Sequence, residues 1–258
     1  MNNAEEPNDK NSPLFGSSLS AVYDACLTLI YPQICRLCEK SVESRADGVV
    51  CRACWRKTRA FNGTEILCEK CGAFLRESGG EKFTTFCRRC DAEDFDSARA
   101  VGLYEHALLA TVLNLKKTPF VPLKLENLFF EAFLKSPFTD ATRIIPVPLS
   151  KRRLSERGFN QASLLAKILT RATDLPLDEQ SLIRKIHTPQ HRAGMDKKAR
   201  VESVRDAFEV TRPRFIKDEN ILLIDDVFTS GATAANCAKA LKNKGARAVY
   251  VLTVARAF

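Results

Sequence analysis

Ile221-Leu222-Leu223-Ile224-Asp225-Asp226-Val227-Phe228-Thr229-Ser230-Gly231-Ala232-Thr233 is the stretch that decides the fold of this 258-residue chain. Four aliphatic residues in a row, two of them β-branched, predict a strand buried on both faces, as in a parallel sheet. Two carboxylates, Asp225 and Asp226, end that strand. A short loop with Thr229, Ser230, Gly231 and Thr233 follows, and Ala234 to Lys244 predicts a helix that Gly245 closes in a left-handed conformation. Ligands of open α/β sheets gather at the carboxyl ends of the strands. The loop offers backbone N–H groups and three hydroxyls, and the helix N-terminus adds positive potential, so a phosphate suits it. Gly231 lets the backbone approach closely. The two carboxylates repel a phosphate but accept hydrogen bonds from hydroxyls. Phosphate donors and hydroxyl acceptors side by side fit a ribose 5-phosphate.

The stretch resembles the phosphoribosyl-diphosphate (PRPP) motif of type I phosphoribosyltransferases: four apolar residues, two acidic residues, then a Thr-[Gly/Ser]-x-Thr loop. The resemblance implies that Asp225 and Asp226 hold the ribose hydroxyls. It implies that Val227, Phe228, Thr229, Ser230, Gly231, Ala232 and Thr233 bind a PRPP·Mg²⁺ complex, with Thr229 to Thr233 holding the 5-phosphate.

Eight of ten cysteines form four C-x-x-C pairs: Cys35/Cys38, Cys51/Cys54, Cys68/Cys71 and Cys87/Cys90. Each pair is a candidate zinc knuckle, and the spacing is close to that of Cys₄ zinc ribbons. The sequential assignment is one Zn²⁺ on Cys35, Cys38, Cys51 and Cys54 and a second on Cys68, Cys71, Cys87 and Cys90. The sequential pairing is preferred, and a cross-braced one, first knuckle with third, stays open on spacing alone. Four thiolates leave no open position for water, so the role is structural. Metal binding would supply on the order of 10 kcal/mol of folding energy per site. Disulfides need an oxidising compartment, and no export signal is read at the start. Cys26 and Cys237 fall outside the pattern and read as core cysteines on helices. Trp55 is expected to pack on the first ribbon.

At 45% hydrophobic the chain can bury one core of good size plus a small satellite. The expected division is a disordered tail at 1–17, a helix and double zinc ribbon at 18–94, and an α/β domain at 95–258. Leu19 to Tyr31 is too short to span a bilayer, so no transmembrane segment and a cytoplasmic location are expected. The formal charge is +9, which eight thiolates on two Zn²⁺ ions would lower by four. A basic balance permits nucleic acid or phosphorylated partners and proves neither.

After the ribbons, Ala98 to Tyr104 predicts a strand and His106 to Lys117 a helix with His106 at its start. Leu123 to Leu134 predicts a second helix. Ile144 to Val147 predicts a short buried strand, leading through Pro148 and Leu149 into Lys151, Arg152, Arg153 and Arg157 before a helix from Asn160 to Arg171. Four cations between a strand end and a helix read as a pyrophosphate-binding loop, with Arg157 joining Asp225 and Asp226 as a catalytic residue. Leu182 to Ile186 and Ala207 to Val210 predict short strands, and His187 to Arg205 a long polar flap in which His187 and His191 are surface histidines. Ala248 to Ala255 predicts the last buried strand. Lys and Arg outnumber Asp and Glu about two to one between Arg143 and Lys217.

From about Leu19 to the C-terminus the chain resembles the ComF family of competence proteins, a double zinc ribbon joined to a phosphoribosyltransferase domain. The matches are the four knuckles, Pro146 to Leu149, Glu156 to Gln161, Thr188 to Gln190, Val204 to Phe208 and the Asp225–Thr233 motif. Lys117-Thr118-Pro119-Phe120 replaces the family's usual aromatic, basic, Gly-containing turn, and Ser203 stands where Asn is common. The resemblance implies an α/β type I phosphoribosyltransferase fold and a cytosolic role in natural transformation, handling incoming single-stranded DNA with the DNA-uptake machinery. It leaves open whether a pentosyl transfer is catalysed and to which acceptor. A transferase of nucleotide salvage is the alternative; such enzymes have no need of zinc ribbons.

Overall fold

The computed structural model describes residues 32–75, 87, 90, 93–185 and 207–257. Along the chain run α1 (Arg52–Arg56), β1 (Ser97–Leu103), α2 (His106–Leu115), α3 (Leu123–Leu134), β2 (Arg143–Pro146), α4 (Lys151–Arg157), α5 (Gln161–Thr173), β3 (Leu182–Arg184), β4 (Phe208–Val210), β5 (Asn220–Phe228), α6 (Ala232–Lys242) and β6 (Ala248–Arg256). Four strands form one all-parallel sheet in the order β1-β6-β5-β2, and β3 pairs antiparallel with β4 beside it. This is the expected architecture, a mainly parallel sheet flanked by helices, with the ribbon segments against it. Among the described residues no helix is long and apolar enough to cross a membrane.

Ile221 to Ile224 are all fully buried, because β5 is central and both of its faces are covered. Leu222 and Ile224 join Leu252 and Val254 of β6 and Ile144 of β2 against α2, α3 and α5. Ile221 and Leu223 join Val249, Val251 and Ile145 against α6 and the β3–β4 pair. The ribbons divide along the same line. Cys35, Cys51, Cys54 and Trp55 belong to the first face, and Cys68, Cys71 and Cys90 to the second. Cys237 is a fully buried core cysteine on the second face, as expected.

The chain between the ribbons covers the outer edge of β1. Ala60 bridges Gly102, the Phe61 amide donates to the Val101 carbonyl at 2.8 Å, and the Leu103 amide donates to the Arg59 carbonyl at 3.1 Å. An edge strand with free N–H and C=O groups invites wrong pairing, and this segment satisfies them.

Several boundaries differ from the sequence reading. Strand β5 does not stop at the carboxylates. It runs on to Phe228 because β6 continues beside it, with Asp225 opposite Thr253 and Phe228 opposite Arg256. Helix α6 starts at Ala232, two residues early, since Gly231 at φ 82° turns the strand directly into it. It ends at Lys242, and Gly245 at φ 90° shapes the turn that follows. The basic stretch from Lys151 to Arg157 is a helix, not an open loop. Its residues are mostly good helix formers, Ser150 accepts a hydrogen bond from the Arg153 amide, and Gly158 closes it in the left-handed conformation. His106 opens α2 as expected, at φ 43°. The N-terminal helix with Cys26, the flap with His187 and His191, and Ser203 lie outside the described residues.

Gly102 sits where the covering segment comes closest. A Cβ there would collide with the Arg59 carbonyl oxygen and come within 2.9 Å of Ala60 Cα and 2.8 Å of Leu108 Cδ1. Gly102→Ala is therefore expected to destabilise the protein by at least about 2 kcal/mol, read as a lowered urea midpoint. An unchanged midpoint would show that the edge contact gives way freely.

Candidate functional site

The central strand carries two carboxylates to the carboxyl end of the sheet. The Asp226 amide donates to Asp225 Oδ1 at 2.8 Å, which ties the pair together. Lys116, which caps the C-terminus of α2, places Nζ 3.2 Å from Asp226 Oδ2. Asp225 lines a small recess of about 20 Å³ with Val227, Phe228, Thr229, Gly231 and Thr233 of the loop and Thr253 of β6. Burial pushes the Asp225 carboxyl up to about 8, and the neighbouring charge of Asp226 adds to the shift; the Asp226 amide and Lys116 oppose it.

The loop geometry follows from Gly231. Its positive φ starts α6 with no side-chain cap, and the Ala232 amide faces Ser230 Oγ at 3.4 Å. Gly231, Thr233 and Ala234, at the start of this eleven-residue helix, line the recess. The recess and this helix start bring together Asp225, Thr229, Gly231 and Thr233, while Thr229 itself stays exposed.

The basic helix α4 contributes unequally. Arg153 is half-buried: burial holds its guanidinium low, the charge of Arg157 acts the same way, and Glu156 and Asp226 pull it back up. Arg152 is exposed and paired with Glu156 at 2.8 Å. Lys151 is exposed, and Pro148 and Leu149 are partly buried in the approach to the helix.

Two further cations were not picked out by sequence reasoning. One is Lys116. The other is Arg184 on β3, lowered by burial and by the charge of Arg153, and raised by Cys237 and Asp225. Nothing in the local pattern Leu182-Ile183-Arg184 marks it. Its guanidinium lies over the Phe208 ring, 5.3 Å from the centroid, and the charge of Asp225 acts on it because β3 pairs with β4, and β4 packs on α6.

The cysteines form two sets, Cys35/Cys38/Cys51/Cys54 and Cys68/Cys71/Cys87/Cys90, each with sulfurs within 4.8 Å of one another. The pairing is therefore sequential, and the cross-braced alternative falls. Sulfur separations of 3.5 Å for Cys38–Cys51, 3.6 Å for Cys68–Cys90 and 3.4 Å for Cys71–Cys87 are far too long for disulfides. They approach the roughly 3.8 Å edge of a tetrahedron with 2.3 Å Zn–S bonds, so both sets fit Zn²⁺. Trp55 lies against the first set as expected, its indole N–H donating to the Asp47 carbonyl at 2.9 Å.

Two outcomes follow. The protein should carry two zinc ions per chain by elemental analysis, and a strong chelator should abolish its cooperative thermal transition. The raised Asp225 carboxyl sets a pH dependence. Between the ordinary carboxylate pKa near 3.9 and about 8, the folded chain keeps a proton that the unfolded chain has released, so stability falls as pH rises through that window. Asp225→Asn should then be the more stable protein at pH 9, with the difference in Tm closing towards pH 4. A pH-independent difference would show that Asp225 is ionised throughout.

Residues 26–91 match the double zinc ribbon domain family. The chain is 29% identical over 237 residues to the DNA utilization protein YhgH of Escherichia coli K12, covering 88% of this chain and 99% of that one. It is 26% identical over 233 residues to competence protein F of Haemophilus influenzae, covering 86% and 96%. It is 28% identical over 236 residues to competence protein ComFC of Bacillus subtilis, covering 84% and 91%. Among solved structures, the glutamine PRPP amidotransferase of B. subtilis superposes with a TM-score of 0.30 at 17% identity, over 43% of this chain and 22% of that one. An allosteric regulatory enzyme of purine biosynthesis does so at 0.34 and 21%, over 50% and 25%. This chain thus spans about a quarter or less of either solved chain. As its resemblance to the ComF family implied, the chain is a homologue of competence protein F, ComFC and YhgH, built as a double zinc ribbon joined to a parallel α/β sheet.

Proposed function

We propose that this protein binds PRPP with Mg²⁺ at the end of β5 and acts in the cytoplasm in DNA uptake, handling incoming single-stranded DNA. The observation that carries the ligand reading is the acidic pair standing beside a glycine-led helix N-terminus at the carboxyl end of a central parallel strand. Asp225 and Asp226 accept the ribose hydroxyls, and residues Thr229 to Thr233 hold the 5-phosphate through backbone amides and hydroxyls. Arg153 and Arg157, with Lys151 and Arg152 at the rim, face the diphosphate. Mg²⁺, when bound with PRPP, neutralises diphosphate charge that these cations leave uncompensated, and the acidic oxygens nearby suit its water shell.

Lys116 has a part in this reading. It pairs with Asp226 at 3.2 Å, and an incoming diphosphate competes for it. Should transfer take place, departure of pyrophosphate is eased by the cations already in position, and the chemistry rests on placement and charge. The DNA role rests on what the relatives are called, competence protein and DNA utilization protein, and on the basic balance between Arg143 and Lys217. Binding of that kind leans on phosphate charge and weakens steeply with salt.

Calorimetric titration of the zinc-loaded protein with PRPP and Mg²⁺ tests the site. Micromolar affinity is expected, and the Asp225→Asn/Asp226→Asn variant should lose about 100-fold, the worth of two charge-assisted hydrogen bonds. Below pH 8 binding should release protons as Asp225 ionises, seen as a heat that depends on the buffer. Equal affinity in the variant would remove the acidic pair from the site.

A further inference from the structure

One side chain of β6 links the second ribbon to the loop that ends β5. Arg256, near the C-terminal end of β6, lies opposite Phe228 in the sheet. Its guanidinium stacks over the Phe228 ring, 4.7 Å from the centroid. One terminal nitrogen donates to the Cys71 carbonyl oxygen, and the other lies 3.6 Å from Cys71 Sγ. Cys71 is one of the four sulfurs of the second metal set. On the far side, the Phe228 ring meets Phe95 edge-on at 5.7 Å and fills the space over Gly231. A Cβ on Gly231 would lie 2.9 Å from Phe228 Cζ. Thiolate, guanidinium, phenyl ring and left-handed glycine therefore form one continuous contact, and the glycine sets the start of α6.

Each link has a physical reason. Four thiolates on one Zn²⁺ leave a net negative cluster, which a guanidinium donor stabilises and orients. The same guanidinium, largely shielded from water, is held flat on the aromatic face by cation–π attraction. A ring pinned from above by Arg256 and from the side by Phe95 fixes the turn that Gly231 makes. Loss of the metal removes the anion that holds Arg256, and the ring loses its clamp.

We propose that Arg256 is a positioning residue that couples metal occupancy of the second ribbon to the conformation of the 228–233 loop, and thereby to the loop's affinity for phosphate. The last step rests on the reading of that loop as the phosphate holder; the coupling itself does not. Sulfur ligation at Cys71 and anion binding at Gly231 become linked equilibria, so each favours the other.

Hydrogen exchange of the backbone amides reads the coupling without any ligand. Arg256→Ala and Cys87→Ala, which removes a second-ribbon ligand without touching Arg256, should each speed exchange at residues 229–233 on the order of fivefold. Amides of Ile221–Ile224 should stay protected, which shows that the sheet is intact. The double variant should be no faster than the faster single variant, because both act through one contact. Phe228→Leu should loosen the loop while zinc content stays at two per chain, and Arg256→Lys should restore protection only in part, since an ammonium cannot both stack and fork. Unchanged loop exchange in Arg256→Ala, or additive effects in the double variant, would overturn the proposal. Failure of PRPP to bind any of these proteins counts against the ligand reading alone, and the exchange result still decides the coupling.

Discussion

Two carboxylates can stand side by side at this sheet end because four aliphatic side chains behind them are out of water. Ile221, Leu222, Leu223 and Ile224 are buried on both faces of β5, each contributing about 2 kcal/mol. That anchorage fixes the strand's register against β6, and with it the place where Asp225 and Asp226 emerge. A strand held on one face only could slip or tilt. This one is clamped by α2, α3 and α5 from one side and by α6 and the β3–β4 pair from the other.

The electrostatics of the site answer that constraint. Two adjacent carboxylates in a desolvated wall cannot both ionise freely, and the protein supplies cations from three unconnected elements: Lys116 from the end of α2, Arg153 from α4 and Arg184 from β3. Lys116 pairs with Asp226 directly, and the charges of Asp226 and Asp225 act on Arg153 and Arg184.

Much of the fold was legible in the sequence because burial leaves an unbroken mark. An aliphatic run, an acidic pair and a Thr/Ser/Gly loop have few structural solutions, and four C-x-x-C pairs with ribbon spacing have fewer. The pairing of the knuckles was not legible, since sequential and cross-braced arrangements share the same spacing and differ only in three dimensions. Helix α4 reads as a loop in the sequence because four cations in seven positions mask Ser150 and Gly158, which are its two caps. Arg184 and Lys116 were invisible for a different reason: each meets the charge of the acidic pair through tertiary packing, which no local pattern records. Arg256 belongs with them, a basic residue near the end of an apolar strand whose partner, Cys71, lies most of the chain away.

The segment Arg59–Phe61, laid along β1, also bears on the order of assembly. Among the described residues the sheet partner of β1 is β6, far along the chain, so during synthesis β1 emerges long before the strand that completes it. Such distant pairing is slow and leaves edges exposed. The first ribbon and its connecting segment are local, need only metal and short loops, and precede β1 on the ribosome. One edge of β1 thus has a partner close by in sequence, while the other edge waits for β6.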